Sequence, residues 1–250
     1  MKKRLLSIIL TLCMVMSITP LNAFAVTEYG IWIGEEQVTS DKTWSKQSWK
    51  YDIQSKTLTL LGYNMATIGK RINGNSERPS RIGLIYVEGE QDLNIKLVGS
   101  IDLGDSPFSS QAATKYKESY SGIYAPDSNI TIIGDGTFSA VTHDAAIYSS
   151  NLTNGDGTEQ NATNVSCESF GACIIVKYNM IVNDYSTVWA CANGPTVGMN
   201  GIYVEGSLYV NGTNTTVEGR ATYRPVKGEC TNYTHYRPKN LTSGGYFNNA

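Results

Sequence analysis

Histidine is nearly missing from this chain: His143 and His235 are the two in 250 residues. No Gly-x-Ser-x-Gly elbow accompanies them, so His143-Asp144 reads as a surface or turn pair rather than part of a hydrolytic triad. A basic excess is lacking too. The 20 Lys and Arg face 22 Asp and Glu, and three of the cations, Lys2, Lys3 and Arg4, fall in an N-terminal leader. The remainder is acidic by about five charges, which argues against a nucleic-acid binder. After residue 25 no apolar run is long enough to span a bilayer. Cys167, Cys173, Cys191 and Cys230 fit no zinc spacing, and they permit three pairings among which the sequence does not choose. Buried free thiols and a bridge both suit an exported chain. Helix formers are few beside Gly, Asn, Thr, Ser, Tyr and Ile, a balance that favours strands and turns.

Residues 1–25 read as a secretory signal peptide. Three basic residues precede an apolar run at 5–18, and Ala23-Phe24-Ala25 supplies a small-x-small cleavage site. The expected location is secreted, extracellular or at the cell surface, with no membrane attachment after cleavage.

What is plentiful is a recurring short phrase. Gly122-Ile123-Tyr124-Ala125 leads to Asn129-Ile130-Thr131-Ile132 and then to Gly134-Asp135-Gly136. Gly201-Ile202-Tyr203-Val204 leads to Ser207-Leu208-Tyr209-Val210 and Asn211-Gly212. Looser copies begin at Ile85-Tyr86-Val87 and Ala146-Ile147-Tyr148, and a further apolar strand pair lies at 172–182. Short strands and Gly turns recurring at intervals in the twenties to thirties are the mark of a repeat stack. One such coil cannot bury its apolar face, whereas successive coils at a spacing of about 4.8 Å make a continuous core. Ile123, Ile147 and Ile202 are expected to share one inward column. Gly134, Gly136, Gly212 and Gly219 are expected to supply positive-φ corners.

Residues 28–63 differ from this pattern. Residues 29–34 with 36–39, and 49–52 with 57–60, read as two strand pairs. Alternation places Leu58 and Leu60 on one face and Thr57 and Thr59 on the other. They are expected to form a lid over the open end of the stack. Polar insertions are expected at 104–121 and 149–166. The predicted organisation is a signal peptide at 1–25, an N-terminal β cap at 26–68, a parallel β-helix at 69–219, and an irregular tail or cap at 220–250.

The string Tyr29-Gly-Ile-Trp32-Ile-Gly34, followed by Gln37-Val-Thr39, Trp49-Lys-Tyr51-Asp52 and Thr57-Leu-Thr-Leu60, resembles a segment of secreted surface proteins of gut Firmicutes. Those proteins continue with Gly-Ile-Tyr-Ala and Ile-Thr-Ile-x-Gly-x-Gly repeats, like residues 122–138 here. The repeat style is also similar to right-handed parallel β-helix modules that bind plant polysaccharides, some with calcium. The resemblance implies an all-β, right-handed parallel β-helix from a bacterium, a handedness that parallel crossovers also favour. It carries a shape further than an activity, and the immunoglobulin-like repeats and wall-anchoring tail of the larger surface proteins are not found.

Several residue sets could carry chemistry. Tyr124, Tyr148 and Tyr203 recur at one repeat position and could stack on sugar faces, or pack a strand face as tyrosine often does. Lys70, Arg71, Arg78 and Arg81 form a basic stretch that could hold anionic glycans such as pectate, or be an ordinary solvated loop. Asn154, Asp156 and Glu159 alternate oxygen ligands with glycine in the manner of a calcium loop, although Gly-Asp-Gly is also a common turn. Asp102, Asp105, Asp127, Asp135, Asp144 and Asp184 are scattered at turns and form no recurring acid pair. The expectation is a non-catalytic β-helix protein that presents a surface to polysaccharide or host glycans. A pectin-directed lyase or glycoside hydrolase, and a structural spacer in the cell envelope, are the competing readings.

Overall fold

The structure is a computed structural model that describes residues 26–45, 48–62, 64–65, 69–72, 81–104, 119–193, 200–223, 231–233, 240–243 and 246–248. The leader, Arg78, Asp105, Cys230 and His235 lie outside the described residues, as does most of the expected insertion at 104–121. The protein is all-β. Among the described residues the sole helical element is a 3-10 turn at Glu159–Asn161, and no helix is long and apolar enough to cross a membrane.

The two strand pairs expected near the N-terminus form. Strands β1 (Glu28–Ile33) and β2 (Glu36–Thr39) pair antiparallel, and β3 (Trp44–Ser45), β4 (Trp49–Asp52) and β5 (Thr57–Leu61) make an antiparallel meander. Leu58 and Leu60 are fully buried while Thr57 and Thr59 are half-buried on the other side. Next come β6 (Asn64–Met65), β7 (Lys70–Ile72), β8 (Arg81–Val87), β9 (Asp92–Val98), β10 (Ser100–Gly104), β11 (Ser119–Gly134) and β12 (Thr137–Thr142). They are followed by β13 (Ile147–Asn154), β14 (Asn164–Ser169), β15 (Ile174–Val176), β16 (Met180–Val182) and β17 (Thr187–Ala192). The last are β18 (Ile202–Val204), β19 (Ser207–Val210), β20 (Thr216–Tyr223), β21 (Thr231–Tyr233), β22 (Asn240–Ser243) and β23 (Tyr246–Asn248).

These strands form a 15-stranded and an 8-stranded sheet. Strand order is mixed: β1–β2, β1–β8, β3–β4, β4–β5, β7–β8 and β20–β21 pair antiparallel, and the other ladders are parallel. The larger sheet has two arms joined through the long strands β11 and β13, whose mutual register shifts between Ala125 and Asn129. One arm runs β1–β8–β11–β13–β15–β18 and the other β5–β9–β11–β13–β16–β19.

Register puts like residues beside like. On the first arm Ile85, Ile123, Ile147, Ile174 and Ile202 follow one another from strand to strand, all with no exposure. The second arm aligns Leu93, Ile130, Leu152, Met180 and Leu208. The 8-stranded sheet aligns Ile101, Phe138, Val165, Val188 and Val217. All fifteen belong to one hydrophobic core, and each contributes roughly 1.5–3 kcal/mol by leaving water.

Two expectations need correction. The stretch 149–166 is half strand, with only 155–163 outside the ladders: β13 runs to Asn154 and β14 starts at Asn164. Its Ser, Asn and Thr residues flank a single inward Leu152, so polar composition concealed the alternation. Of the four corner glycines, Gly134 and Gly212 have positive φ, whereas Gly136 and Gly219 do not. Gly136 is required for a different reason, because a Cβ there would run into the Gly99 carbonyl and the Leu97 side chain.

Candidate functional site

The outward row beside the isoleucines is aromatic. Trp32 pairs with Tyr86, then Tyr124, Tyr148, Ile175 and Tyr203 continue in register. The rings pack on one another. Tyr86 and Tyr124 stack with centroids 6.1 Å apart, and Tyr124 meets Tyr148 edge-on at 5.5 Å. Tyr124 is only 4 % exposed, while Tyr86, Tyr148 and Tyr203 are half-buried. Burial raises the Tyr86 phenol above the usual tyrosine range, helped by the negative charges of Glu88 and Asp127 and by Tyr124.

The structure brings part of the basic stretch onto this row. β7 pairs antiparallel with β8, which carries Lys70 to a point 3.5 Å from the centre of the Trp32 ring. The Arg81 guanidinium lies 5.5 Å from the Tyr124 ring and 2.8 Å from the Asp144 carboxylate. Lys177, which the sequence reading did not single out, lies 5.9 Å from the Tyr148 ring and pairs with Asp127 at 2.7 Å. Each such cation–ring contact contributes about 0.5–1 kcal/mol at a part-exposed site. Arg71 is exposed on β7 beside Ile82. Trp32, Tyr86, Tyr124 and Tyr148 therefore share their faces with one another or with cations, and the central Tyr124 is almost fully covered.

An open surface lies one corner further on. Where β11 bends, Pro126-Asp127-Ser128 connects the two arms, and Ser128 donates to the Gly89 carbonyl at 2.5 Å. The Ser150 hydroxyl donates to the Pro126 carbonyl at 3.1 Å. A polar column runs along this corner. Asn129 donates to Asp92 at 2.8 Å and Asn151 donates to Asn129 at 2.7 Å. The amide N–H of Asn179 then donates to Asn151 at 2.9 Å, and that of Ser207 to Asn179 at 3.2 Å. Beside the column is a cleft of about 520 Å³ lined by Glu90, Gln91, Asp92, Asp127 and Asn129, with Lys56, Ser150, Lys177 and Tyr178 completing it. Tyr178 is 59 % exposed.

A sequence signal for this corner existed. Asp92-Leu93, Asn129-Ile130, Asn151-Leu152, Asn179-Met180 and Ser207-Leu208 each place a small polar residue directly before an inward apolar one. The tyrosines are the stronger sequence signal for sugar binding, because Asn and Ser before an apolar residue are equally at home in ordinary turns.

The other candidates occupy local roles. Asp156 accepts from the Thr158 amide and hydroxyl at 2.9 and 2.7 Å and from Asn161 at 2.6 Å. Desolvation opposes its ionised form, yet those hydrogen bonds outweigh it and lower its pKa. Asn154 is fully buried in the core while Glu159 is exposed, and among the described residues no three His, Cys, Asp or Glu side chains converge to hold a metal. His143 stacks on Phe170 at 5.5 Å. Asp184 accepts backbone N–H bonds from Tyr185 and Asn214 at 3.1 and 2.9 Å, a turn function. Cys167, Cys173 and Cys191 are buried and unbridged, and burial pushes the Cys173 thiol well up. No family model matches the chain, and no curated protein or solved structure shows significant similarity to it.

Proposed function

We propose that this protein is a secreted, non-catalytic right-handed parallel β-helix, with coils at 69–219 and a cap at 26–68, that binds polysaccharide or host-surface glycan. The in-register isoleucine, leucine and valine rows support the solenoid, since equivalent positions of successive coils would stand one above another. The corner cleft carries the binding reading. It combines an exposed ring, two amides, a hydroxyl and paired ions, which is the mixture a sugar's C–H face and hydroxyls require.

The same cleft gathers Glu90, Asp92 and Asp127 near Lys177, the composition a glycosidase or lyase would use. A general acid needs a carboxyl kept protonated by apolar surroundings. All three of these are exposed, and Asp127 is held against a lysine ammonium. Asp92 is engaged as well, accepting from Asn129 at 2.8 Å. The spacer reading finds some support in the Asn94, Thr131 and Thr153 row on the second arm.

The deciding experiment is a glycan-array screen of residues 26–250 with and without calcium, followed by product analysis on each binder. Binding without cleavage is expected. Released oligosaccharides would replace this reading with the enzyme, and a silent array would leave the spacer.

A further inference from the structure

The cleft has a direction that its contents make informative. Lys56 comes from the turn before β5, Gln91 and Asp92 from the start of β9, and Asp127 and Asn129 from the bend of β11. Ser150 belongs to β13, and Tyr178 precedes β16. Those five strands, β5, β9, β11, β13 and β16, are consecutive neighbours in the sheet. Four inter-strand steps span about 19 Å, so the cleft runs across the strands as a trough with one or two side chains per strand.

Its charge is equally telling. Three carboxylates face two ammoniums, and one ammonium, that of Lys177, is already engaged by Asp127 at 2.7 Å. On the neighbouring aromatic row, Lys70 lies over Trp32 and Arg81 pairs with Asp144. A polymer of uronates would bring a carboxylate to nearly every unit of the trough, against Glu90 and Asp92, and like charges so placed repel strongly. A neutral chain brings hydroxyls, which both donate and accept. They match carboxylate and amide oxygens that are acceptors and an amide and ammonium that are donors.

Resting on the glycan-binding reading above, we infer that the corner cleft takes a linear, uncharged polysaccharide lying lengthwise across β5, β9, β11, β13 and β16, and rejects uronate polymers. The lining is held ready for it. Asn129 is fixed to Asp92 at 2.8 Å, Ser150 to the Pro126 carbonyl at 3.1 Å and Gln91 to the Glu88 carbonyl at 2.8 Å. Little side-chain freedom remains to be lost on binding. Tyr178 closes one end of the trough with a ring face for a terminal unit, and Lys56 closes the other.

The test is calorimetric titration of residues 26–250 with gluco-, xylo- and manno-oligosaccharides from monomer to hexamer, beside oligogalacturonates of the same lengths. At least one neutral series should gain affinity with each added unit up to about the length of the trough. That affinity should stay unchanged between roughly 0.01 and 1 M salt, where screening would erase a charge-driven interaction. Tyr178→Ala and Lys56→Ala, both at exposed positions, should each weaken the longest oligomer about tenfold, the effect of losing one good contact. Three results overturn the inference while leaving glycan binding in place. These are tighter binding of oligogalacturonates, equal affinity of monomer and hexamer, and silence of every oligomer despite a positive glycan array. A silent array removes both readings together.

Discussion

Tyr86 shows how a single side chain can couple this surface to stability. Its phenol is half-buried between Trp32 and Tyr124, and burial keeps it neutral beyond the ordinary tyrosine range. A group whose pKa is raised on folding contributes stability that is complete below its unfolded value, about 10, and is lost as pH climbs through the folded value. Chemical-denaturation midpoints should therefore fall as pH rises above about 10. Tyr86→Phe keeps the ring and removes the ionisation, so its alkaline decline should be shallower; an identical slope in both proteins would exclude this role. Tyr51, raised first by burial and then by Tyr29 and Asp52, contributes to the same decline and remains in the variant.

At the level of elements, the amide column runs along the corner where β11 and β13 shift register. Asn151 is its middle member, donating to Asn129 and accepting from the Asn179 backbone. Asn151→Ala leaves that N–H without its partner and should cost about 1–2 kcal/mol in urea denaturation. Asn151→Asp keeps the acceptor but sets a carboxylate against the Asn129 carbonyl oxygen, so it should cost more than Ala. Equal midpoints for the two variants would mean the column is ornamental. This same region marks the limit of what could be read beforehand. The isoleucine row was legible because Gly-Ile-Tyr repeats its letters, and the hairpin of β4 and β5 because Leu58 and Leu60 alternate with threonine. β13 was not, since Ser149, Ser150, Asn151 and Thr153 are loop-like letters around one Leu152. Nor was the cleft, because Lys56 and Tyr178 are 122 residues apart in the chain and come to line one trough, at its two ends, only through strand register. The third inward row, built partly from Phe138, Val165 and Val188, is less legible because the residues around it include Ser139, Asn164 and Ser166, which are turn-forming letters.

For the whole molecule, the continuous core joins the antiparallel strands of residues 28–61 to the parallel ladders without a break. Ile31, Val38 and Trp49 belong to the same buried cluster as Leu208 and Val217. Elements that share one buried cluster are expected to unfold in one cooperative step. In a variant retaining only Trp49 and in one retaining only Trp189, tryptophan fluorescence should accordingly give the same midpoint as far-UV circular dichroism of that same variant, whatever the stability lost by the substitutions. Separate midpoints would divide the chain into a cap and a body that melt independently. The amide column adds a polarity to this body. Its side-chain donors point back toward Asp92, so the chain of dipoles starts on a negative ion and is neutral thereafter. A carboxylate in place of Asn129 would stand in the register next to Asp92, so the column is least tolerant of an added negative charge at the end where Asp92 lies.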